Sequence, residues 1–598
     1  DMPGHHASVE MGVPVDEDPA PEYPLAREAA KCHERNLPFL AQHIPNMYRD
    51  DIHPYLGYRP NLDVPAWEHM DEIRFGHIAP WSLGAWFDPG CTNKILTWKS
   101  WGGKLLIGPW PHCGIYSGYD KYPASAYDWV GEHIRYFDAH LKQKDTGIIS
   151  EPPIRYYTIG DTGNEWHYAA DFPVDGTTFP KLYLTADGGL SPDMPSKGQV
   201  EYTVRDDVMI YEAFGRMNRD VQKNMAAEDE KSVVFTSDTL PKDMEITGIP
   251  TMELWVTSTW KDGNFIACLE EVTPDGYSHF LTEGVIRASH AKVHRNNIYE
   301  SMGLPYHRGF REDRVELSED TPLKLSFHLE ALSRILHKGS RLRISISCGG
   351  SGYQQPEGYP EQPQAVKLYT GADTSSFVRL PVIKPTATVF SANDGQPQRL
   401  YVYKRAVYLE KDGRFEEYLC DQVYPQKDEM VYETRGGIVR VRICGENAYV
   451  TADGLLDFTG EAKLPDRYFY ENADGEIPLP ETPWAYMPAA HVRNLYVSTV
   501  PVAKGDFGNV NPQLCNTFDL YVDLMYPEGA RESLPCMINI HGFGGNHHQF
   551  ESNTQLFLER GYAVASVDYR LCPPNVWPTS GEDVRGCIRY LKAHAKEL

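Results

Sequence analysis

The chain has 598 residues, which predicts about three to five domains of roughly 100–200 residues each. Its formal net charge is −26 with no cluster of basic residues, so its composition argues against nucleic acids and anionic membranes as partners. No apolar run approaches the ~20 residues of a membrane-spanning helix. The eleven cysteines include no C-x-x-C pair, so neither a zinc site nor a dense disulfide framework is expected.

Residues 1–70 are polar and rich in proline, with one helical stretch at Glu22–His43. This pattern fits a mostly helical cap over an active site. The pair His5-His6 has no acidic or thiol partner at ligand spacing, so a surface pair is expected rather than a metal site. The chain starts without a charged-then-apolar leader, and we expect both its natural start and its natural end to be missing. Whether the protein is cytoplasmic or secreted stays open.

Residues 71–149 are predicted to form the C-terminal part of an α/β-hydrolase domain. The apolar runs Ile78–Phe87 and Lys104–Ile107 are short and bounded by Gly and Pro, as buried strands of a parallel sheet are. The stretch Cys91–Trp101 can form the crossover that parallel strands require. Functional groups in such sheets lie on loops beyond the carboxyl ends of the strands. Asp88 and His112 are expected at that edge, on loops that follow adjacent strands.

An acid followed by a histidine, late in an α/β unit, matches the tail of the Ser…Asp…His order of α/β-hydrolases. Asp88 would orient the imidazole, and His112 would take the proton from a serine. From the motif alone a second interpretation stays open, in which D-P-G is an ordinary turn and His112 packs on a tryptophan.

A helix is predicted later in the same unit, because four apolar side chains recur on one helical face: Val130, Ile134, Phe137 and Leu141. We expect this helix to pack on the sheet and close the domain. Asp138 lies on the helix and resembles a second catalytic acid, but a solvated or helix-docking residue explains it without chemistry.

Residues 150–385 are predicted to form a β jelly-roll sandwich, because many short β-rich runs alternate with Gly, Pro and Asp. The runs are Pro152–Gly160, Lys181–Thr185, Lys231–Thr236, Thr251–Ser258, Asn264–Glu270 and Arg341–Ser347. Ser351, in C-G-G-S-G-Y, is the nearest approach to a nucleophile elbow. However, Tyr353 replaces the required Gly, and three prolines follow where a helix should begin, so Ser351 is not expected to be the nucleophile.

Residues 386–494 are predicted to form a small β-rich connector. Strands are expected at Leu400–Leu409, Gly437–Ile443 and Asn447–Thr451, and turns at the two D-G pairs Asp412-Gly413 and Asp453-Gly454. The proline-rich run Pro478–Pro488 is expected to be a linker.

Residues 495–598 return to an α/β pattern and predict the N-terminal part of a second α/β-hydrolase domain. Strands are expected at Thr517–Tyr526 and Cys536–Ile540, and the second runs into H-G-F-G-G at His541–Gly545. An amphipathic stretch, Asn553–Arg560, and a buried strand that ends at Asp568 follow. A final helix is expected at Gly581–Leu591.

Several phrases of the first half together resemble the CocE/NonD hydrolases, a group allied to the X-prolyl dipeptidyl-peptidases and the α-amino-acid ester hydrolases. They are W-F-D-P, L-L-I-G-P-W-P-H, R-Y-F-D-A-H-L-K-Q, F-T-S-D-T-L-P-K-D-M-E-I-T-G-I-P and H-K-G-S-R-L-R-I-S-I-S. The resemblance covers roughly Val13–Lys384. It implies a helical cap, a jelly roll beside the hydrolase domain, Asp88 as the triad acid and His112 as the triad base.

The phrases H-G-F-G-G, G-Y-A-V-A-S-V-D-Y-R-L and E-D-V-R-G-C-I-R-Y-L resemble the hormone-sensitive-lipase-like and feruloyl-esterase-like hydrolases. There a glycine-rich loop supplies oxyanion-hole N–H groups. The resemblance places Gly542 and Phe543 at the donor positions, with His541 as a structural anchor. Phe543 departs from the usual Gly, and a glycine-rich turn without a catalytic role stays open as the alternative.

The function predicted from these features is that of a serine hydrolase acting by acyl transfer to water: an esterase, an amidase or an X-prolyl dipeptidyl-peptidase. Neither nucleophile serine is found in the sequence, so we expect a fragment of a two-hydrolase polypeptide. No cofactor or metal is called for, and the expected substrate is a small ester, amide or short peptide. A homo-oligomer is left open.

Two further interpretations concern what the chain binds. A peptidase of this kind needs a carboxylate for the free α-amine of the substrate, which Asp16, Glu17 and Asp18 could supply, but a solvated acidic turn is the favoured interpretation of these residues. The rival function is a non-catalytic protein whose jelly roll binds a glycan or another protein, with the hydrolase parts as scaffold.

Overall fold

The computed structural model describes residues 24, 28, 48–52, 78–112, 121–205, 207–208, 224–294, 299–349, 363–471, 489–501, 517–527, 530, 534–540, 547, 554–559, 561–570 and 579–598. None of the helices in these ranges has both the length and the apolar character needed to cross a membrane.

The first α/β unit is a four-stranded sheet in the order β1-β2-β3-β4. Its strands are β1 (Trp81–Ala85), β2 (Lys104–Gly108), β3 (Ile154–Tyr157) and β4 (Trp166–Ala169). Strands β1, β2 and β3 are parallel, and β4 is antiparallel to β3. Helix α1 (Cys91–Trp101) is the crossover between β1 and β2, so the predicted parallel pair and its connection are confirmed. Strand β3 extends this sheet past residue 149, where the sequence predicts the sandwich to begin.

Helix α2 (Trp129–Lys142) forms as predicted, but its predicted buried face is wrong. The four apolar side chains of the stripe are 48–76% exposed: Val130, Ile134, Phe137 and Leu141. Tyr136 and Ala139 are buried instead, against Trp81 and Ala79 at the start of the sheet. The hydroxyl of Tyr136 donates to the carbonyl of Ala79 at 2.6 Å. This hydrogen bond and the packing of Tyr136 on Trp81 therefore determine which face of the helix meets the sheet, in place of the apolar stripe.

The next unit is a pair of β-sheets packed on one core. The larger sheet has eleven strands in the order β13-β12-β16-β9-β7-β6-β18-β11-β17-β8, with β14 beside β11; the smaller has the order β15-β10-β19-β5. The strands are β5 (Thr177–Thr178), β6 (Lys181–Leu184), β7 (Gly189–Ser191), β8 (Gly198–Thr203), β9 (Val233–Ser237), β10 (Met244–Gly248), β11 (Thr251–Ser258), β12 (Asn264–Val272), β13 (Ser278–Arg287), β14 (Leu323–His328), β15 (Leu332–Leu336), β16 (Arg341–Ser347), β17 (Ala365–Thr370), β18 (Phe377–Arg379) and β19 (Val382–Ile383). A short helix, α3 (Ala226–Asp229), lies before β9.

Side chains from both sheets share one buried cluster, which includes Ile246 of the smaller sheet and Leu254 and Ile344 of the larger. The unit is therefore a β-sandwich, hereafter the sandwich, as the short alternating runs predict. Its winding as a jelly roll stays a prediction.

The predicted connector contains a closed eight-stranded antiparallel barrel. Its strands are β20 (Val389–Ala392), β21 (Gln398–Val402), β22 (Ala406–Lys411), β23 (Arg414–Gln426), β24 (Glu429–Thr434), β25 (Gly437–Cys444), β26 (Asn447–Gly454) and β27 (Phe458–Lys463). The stretch Leu400–Leu409, predicted as one strand, is divided between β21 and β22. Asp412-Gly413 forms the predicted hairpin turn, with positive φ at both residues. Asp453-Gly454, also predicted as a turn, instead ends β26. The run Pro478–Pro488 lies outside the described residues.

The last unit is a second α/β sheet in the order β28-β29-β31-β30. Its elements are β28 (Ala489–Pro501), β29 (Thr517–Pro527), β30 (Cys536–Ile540), α4 (Thr554–Glu559), β31 (Ala563–Val567) and α5 (Thr579–His594). Strands β30 and β31 are parallel, and α4 lies between them in the chain. Strand β29 pairs with both β28 and β31, and both pairings are antiparallel. The predicted strands at Thr517–Tyr526 and Cys536–Ile540 are confirmed.

The chain that leaves the barrel runs back and joins the sandwich to the first α/β unit. Tyr470 is buried in the sandwich core, and the backbone N–H of Tyr468 donates to the carbonyl of Asp243 at 2.7 Å. Arg467, with a side chain only 13% exposed, contacts Glu245 of β10 and donates from Nη2 to Asp161 Oδ1 at 2.8 Å. Asp161 follows β3, so one guanidinium pairs with carboxylates of both units.

Replacing Arg467 by Gln is expected to lower the free energy of unfolding by about 3–5 kcal/mol, because the buried carboxylate of Glu245 loses its cation. The midpoint of denaturant unfolding measures the change. Lys242→Gln is the control, since Lys242 and Asp466 form an exposed ion pair with 53% and 74% exposed side chains. That control should cost less than about 1 kcal/mol. Equal losses of unfolding free energy in the two variants would show that Arg467 does not hold the sandwich and the first α/β unit together.

The sandwich also encloses a pair of buried carboxyl groups, Glu270 on β12 and Asp229 on α3. The hydroxyl of Ser278 donates to Glu270 Oε2 at 2.6 Å, and Arg343 Nη1 donates to Asp229 Oδ2 at 2.5 Å. Burial, and then the charge of Asp229, raise the pKa of Glu270 well above its ordinary value. The arginine is paired with Asp229, so Glu270 is the carboxyl that keeps its proton.

We expect Glu270→Gln to raise the unfolding temperature at pH 8 and to lose this advantage near pH 4. The raised pKa means that the folded chain binds a proton that the unfolded chain releases, so stability falls as the pH rises above the ordinary pKa of Glu, about 4.3. Thermal unfolding from pH 4 to 8 tests this. Glu319→Gln, at an exposed carboxyl of the same sandwich, should follow the wild-type profile. If the unfolding temperature of Glu270→Gln followed that of the wild type across the whole pH range, Glu270 would not be the carboxyl that keeps its proton.

Candidate catalytic site

The backbone beyond β1 and β2 stays paired, and this pairing brings the two predicted catalytic residues together. The N–H of Trp86 donates to the carbonyl of Gly108 at 2.9 Å, and that of Phe87 to the carbonyl of Trp110 at 3.3 Å. Asp88 then turns, with its N–H donating to the carbonyl of Ala85 at 3.1 Å. Each strand end thus carries its polar residue to the same edge of the sheet.

At this edge His112 Nδ1 lies 2.8 Å from Asp88 Oδ1. The side chain of His112 is 49% exposed and that of Asp88 is 27% exposed, so the pair is open to solvent. A carboxylate at Nδ1 favours the tautomer with the proton on Nδ1, which leaves the lone pair of Nε2 able to accept a proton. The arrangement can therefore support general-base chemistry at Nε2.

Aromatic packing holds both loops in place. The indole of Trp86 donates from Nε1 to the carbonyl of Tyr157 at 2.6 Å, which ties the Asp88 loop to the end of β3. Trp110, two residues before His112, is 2% exposed and packs against Trp166 with ring centroids 6.0 Å apart. Because both tryptophans are fixed, the positions of Asp88 and His112 depend on packing as well as on the sheet.

The sandwich braces the turn that carries Asp88. Thr92, in the first turn of α1, is 1% exposed, and its N–H donates to Glu330 Oε2 at 3.0 Å. Its hydroxyl accepts from the N–H of Ala331 at 2.9 Å. Both partners lie between β14 and β15, so the sandwich contacts helix α1 just after the turn that carries Asp88.

Asp138, the other acid of this unit, is held by Lys142 at 2.5 Å and Lys144 at 2.7 Å. Its hydrogen bonds to these two lysines lower its pKa. It belongs to a solvated ion-pair cluster on α2, in agreement with the non-catalytic interpretation.

The oxyanion residues predicted in the second α/β unit, Gly542 and Phe543, lie outside the described residues, as does their anchor His541. So do Ser351, the pair His5-His6 and the acidic residues Asp16, Glu17 and Asp18. Over the described ranges, no group of three or more His, Cys, Asp or Glu side chains has the arrangement of a metal site.

The chain on either side of the predicted oxyanion loop is described, and it includes a buried polar cluster that sequence reasoning missed. His547 Nδ1 lies 2.6 Å from Asp568 Oδ2, and the N–H of His547 donates to Asp568 Oδ1 at 2.9 Å. Its Nε2 lies 2.8 Å from Asn494 Oδ1. The signal available in the sequence was Asp568 itself, a charged residue directly after the largely apolar strand β31.

The sequence phrases D-Y-R and E-D-V-R of the same unit contain the two partners of a second ion pair, Arg570 and Asp583. Arg570 donates from Nε and Nη2 to the two carboxylate oxygens of Asp583 at 2.8 and 2.7 Å. Asp583 lies on α5 and is 3% exposed, so this bidentate pair fixes the helix to the strand end.

Comparison with known proteins finds two domain matches. Residues 146–378 match the X-Pro dipeptidyl-peptidase C-terminal non-catalytic domain, and residues 522–598 match the BD-FAE domain. The first covers most of the sandwich, and the second covers the second α/β unit from β29 onward.

Two curated relatives and one solved structure are similar to the first half. A protein of Mycobacterium bovis named as a serine esterase is 31% identical over 342 residues, covering 54% of this chain and 53% of the relative. The cocaine esterase of Rhodococcus sp. is 21% identical over 360 residues, covering 53% and 59%. A CocE/NonD family hydrolase from Staphylococcus aureus has a TM-score of 0.44 at 17% identity, covering 60% and 62%. The chain spans about half the length of the curated relatives it matches. The resemblance predicted from the motifs is confirmed.

Gly108, which ends β2, leaves no room for a side chain. A Cβ atom there would lie 2.3–2.4 Å from ring atoms of Trp110. Gly108→Ala is expected to destabilise the protein by about 1–3 kcal/mol through overpacking, as measured by thermal unfolding. The matched control is Gly586→Ala on α5, where an added Cβ would meet no described heavy atom within 4 Å. That substitution should be neutral or stabilising by up to about 1 kcal/mol. A neutral Gly108→Ala would show that Trp110 is not held tightly.

Proposed function

We propose that this chain, which joins a CocE/NonD-type hydrolase to a BD-FAE esterase-like domain, takes part in serine-dependent hydrolysis of small esters, with Asp88 as the triad acid and His112 as the general base. The observation that carries the proposal is the 2.8 Å contact between His112 Nδ1 and Asp88 Oδ1 at the carboxyl edge of two parallel strands. The fold supplies the pair, and its solvent exposure allows a substrate to approach.

The proposed mechanism is acyl transfer in two steps. A serine hydroxyl attacks the ester carbonyl while His112 Nε2 takes its proton, and the histidine then gives that proton to the leaving alcohol. Water repeats the sequence on the acyl-enzyme and releases the acid. Asp88 stabilises the imidazolium and holds the ring orientation. Among the described residues no serine hydrogen bonds to His112, so the proposal assigns the base and the acid and leaves the nucleophile unassigned.

Esters are the favoured substrate class because the curated relatives are named as esterases. Amides and X-prolyl peptides stay as alternatives, since the matched sandwich domain takes its name from an X-Pro dipeptidyl-peptidase. An amide requires protonation of a poorer leaving group, which the same histidine can supply.

For the second α/β unit we propose that the N–H groups of Gly542 and Phe543 stabilise an oxyanion. Two described features support this role. Strand β30 ends at Ile540, one residue before the loop begins, and its parallel pairing with β31 is of the kind that directs such loops to a carboxyl edge. The contact of His547 with Asp568 fixes the chain soon after the loop. We propose that this unit is the start of a second carboxylesterase-like domain.

His112→Ala and Asp88→Asn should each lower kcat by roughly 10⁴-fold, by analogy with losses at other catalytic triads. The measurement is hydrolysis of 4-nitrophenyl butyrate by the complete gene product. The controls are His140→Ala and Asp138→Asn on α2, which remove the same residue types elsewhere in the first α/β unit, and both should keep wild-type rates.

A fluorophosphonate probe on the same protein separates the remaining outcomes. The labelled serine should react more slowly in His112→Ala, and Ser351→Ala should not change the labelling. Wild-type rates in both His112→Ala and Asp88→Asn would show that the pair is not needed for ester hydrolysis, and the second α/β unit would then be the candidate for the activity. A wild-type protein that neither turns over esters nor reacts with the probe would favour the rival function, a binding sandwich on a hydrolase scaffold.

A further inference from the structure

Three neighbouring strands of the sandwich, β8, β17 and β11, present polar and aromatic side chains on the side away from the core. Strand β17 lies in the middle, paired with β11 on one side and with β8 on the other. Val256 and Leu368 pair across β11 and β17, and both are buried in the core cluster. Because successive side chains of a strand point to opposite faces, their neighbours Thr257, Lys367 and Tyr369 belong to the outer face.

The register of the three strands arranges the outer side chains in rows. Thr257, Lys367 and Glu201 are partners across β11, β17 and β8, and they form the polar row. Tyr369 lies in the next row, and the register continued by one residue places Trp255 of β11 opposite it. Both aromatic side chains are half-buried, so part of each ring faces solvent. A polar row and an aromatic row therefore lie side by side.

A cavity of about 280 Å³ lies over the polar row and is lined by all three of its residues. One wall is the loop before β14, which carries Glu319 and Asp320. This loop is fixed to the end of β11, because the N–H of Ser258 donates to the carbonyl of Ser318 at 3.0 Å. The volume is close to the lower end of the range of small-molecule sites, roughly 300–1,000 Å³.

The side chains that line this cavity include both donors and acceptors of hydrogen bonds. The carboxylates of Glu201, Glu319 and Asp320 accept, the ammonium of Lys367 donates, and the hydroxyl of Thr257 can do either. Lys367 Nζ lies 3.4 Å from Glu201 Oε1, and the two side chains are 46% and 68% exposed, so both can also bond to a ligand. Three carboxylates against one ammonium disfavour an anionic ligand.

The structure of the face also limits the kind of ligand. Strand β17 is paired on both sides, so a ligand at the cavity meets side chains and cannot add to the sheet as a further strand. A wholly apolar ligand would cover charged groups without pairing them, which is costly. A pyranose ring suits both rows, because it has apolar C–H faces and a rim of hydroxyl groups.

We propose that the outer face of β8, β17 and β11 binds a neutral oligosaccharide, a function separate from hydrolysis at the catalytic pair. One sugar ring occupies the cavity, where the polar row donates to and accepts from its hydroxyl groups. Hydrogen bonds to charged side chains are stronger than those between neutral groups, so Lys367 and Glu201 contribute most of this recognition. Trp255 and Tyr369 stack on the C–H faces of the neighbouring rings, which buries their exposed ring surface.

Titration calorimetry of the complete gene product with xylohexaose, cellohexaose and mannohexaose tests the face. At least one of these neutral oligosaccharides should bind, and anionic hexagalacturonate should bind more weakly because it meets the excess of carboxylates. Trp255→Ala and Tyr369→Ala should each weaken the binding by about tenfold, through the loss of aromatic stacking. If none of the neutral oligosaccharides binds, or if hexagalacturonate binds more tightly than they do, the proposal is overturned.

Two variants separate a local role from misfolding. Trp255→Phe keeps an aromatic ring and should keep measurable binding, but it should lose the change in tryptophan fluorescence that the saccharide causes in the wild type. A change that persists in this variant would place the saccharide elsewhere and overturn the proposal. Tyr449→Ala is the matched control, since it removes a tyrosine of the barrel that is 38% exposed, and it should leave the binding unchanged.

Hydrolysis of 4-nitrophenyl butyrate by the same preparation separates this inference from the proposed function. Saccharide binding without ester hydrolysis would keep the binding face and remove the hydrolytic role. Ester hydrolysis without saccharide binding would do the reverse. A proline-rich peptide is the last probe: if it binds, loses affinity in Trp255→Ala and no saccharide binds, the face is a peptide site and the saccharide is overturned.

Discussion

The candidate site depends on one constraint: the parallel pairing of β1 and β2 continues past the ends of both strands. Two backbone hydrogen bonds beyond the regular register, from Trp86 to Gly108 and from Phe87 to Trp110, keep the two departing chains adjacent. An aspartate and a histidine that are 24 residues apart in the chain therefore meet at 2.8 Å. Side-chain packing refines this geometry, since Trp110 occupies the space that the absent side chain of Gly108 leaves.

The sandwich contacts the first α/β unit close to the candidate site. It holds the first turn of α1 through Glu330 and Ala331, and it pairs its strand β15 with the chain beyond β3. In the first α/β unit, both contacts lie beyond the strands of the sheet. The sandwich therefore supports the chain segments that lead away from β1 and β3, close to the turn that carries Asp88.

Local patterns predicted the elements whose partners are near in sequence. The strands β1 and β2, helix α1 and the pair Asp88 and His112 follow from short apolar runs and the polar residue after each. The buried face of α2 did not, because its orientation depends on a tyrosine hydroxyl and a tryptophan some 50 residues earlier. The barrel was missed because β23 is rich in charged and polar residues on its outer face, and closure of eight strands leaves no local signal.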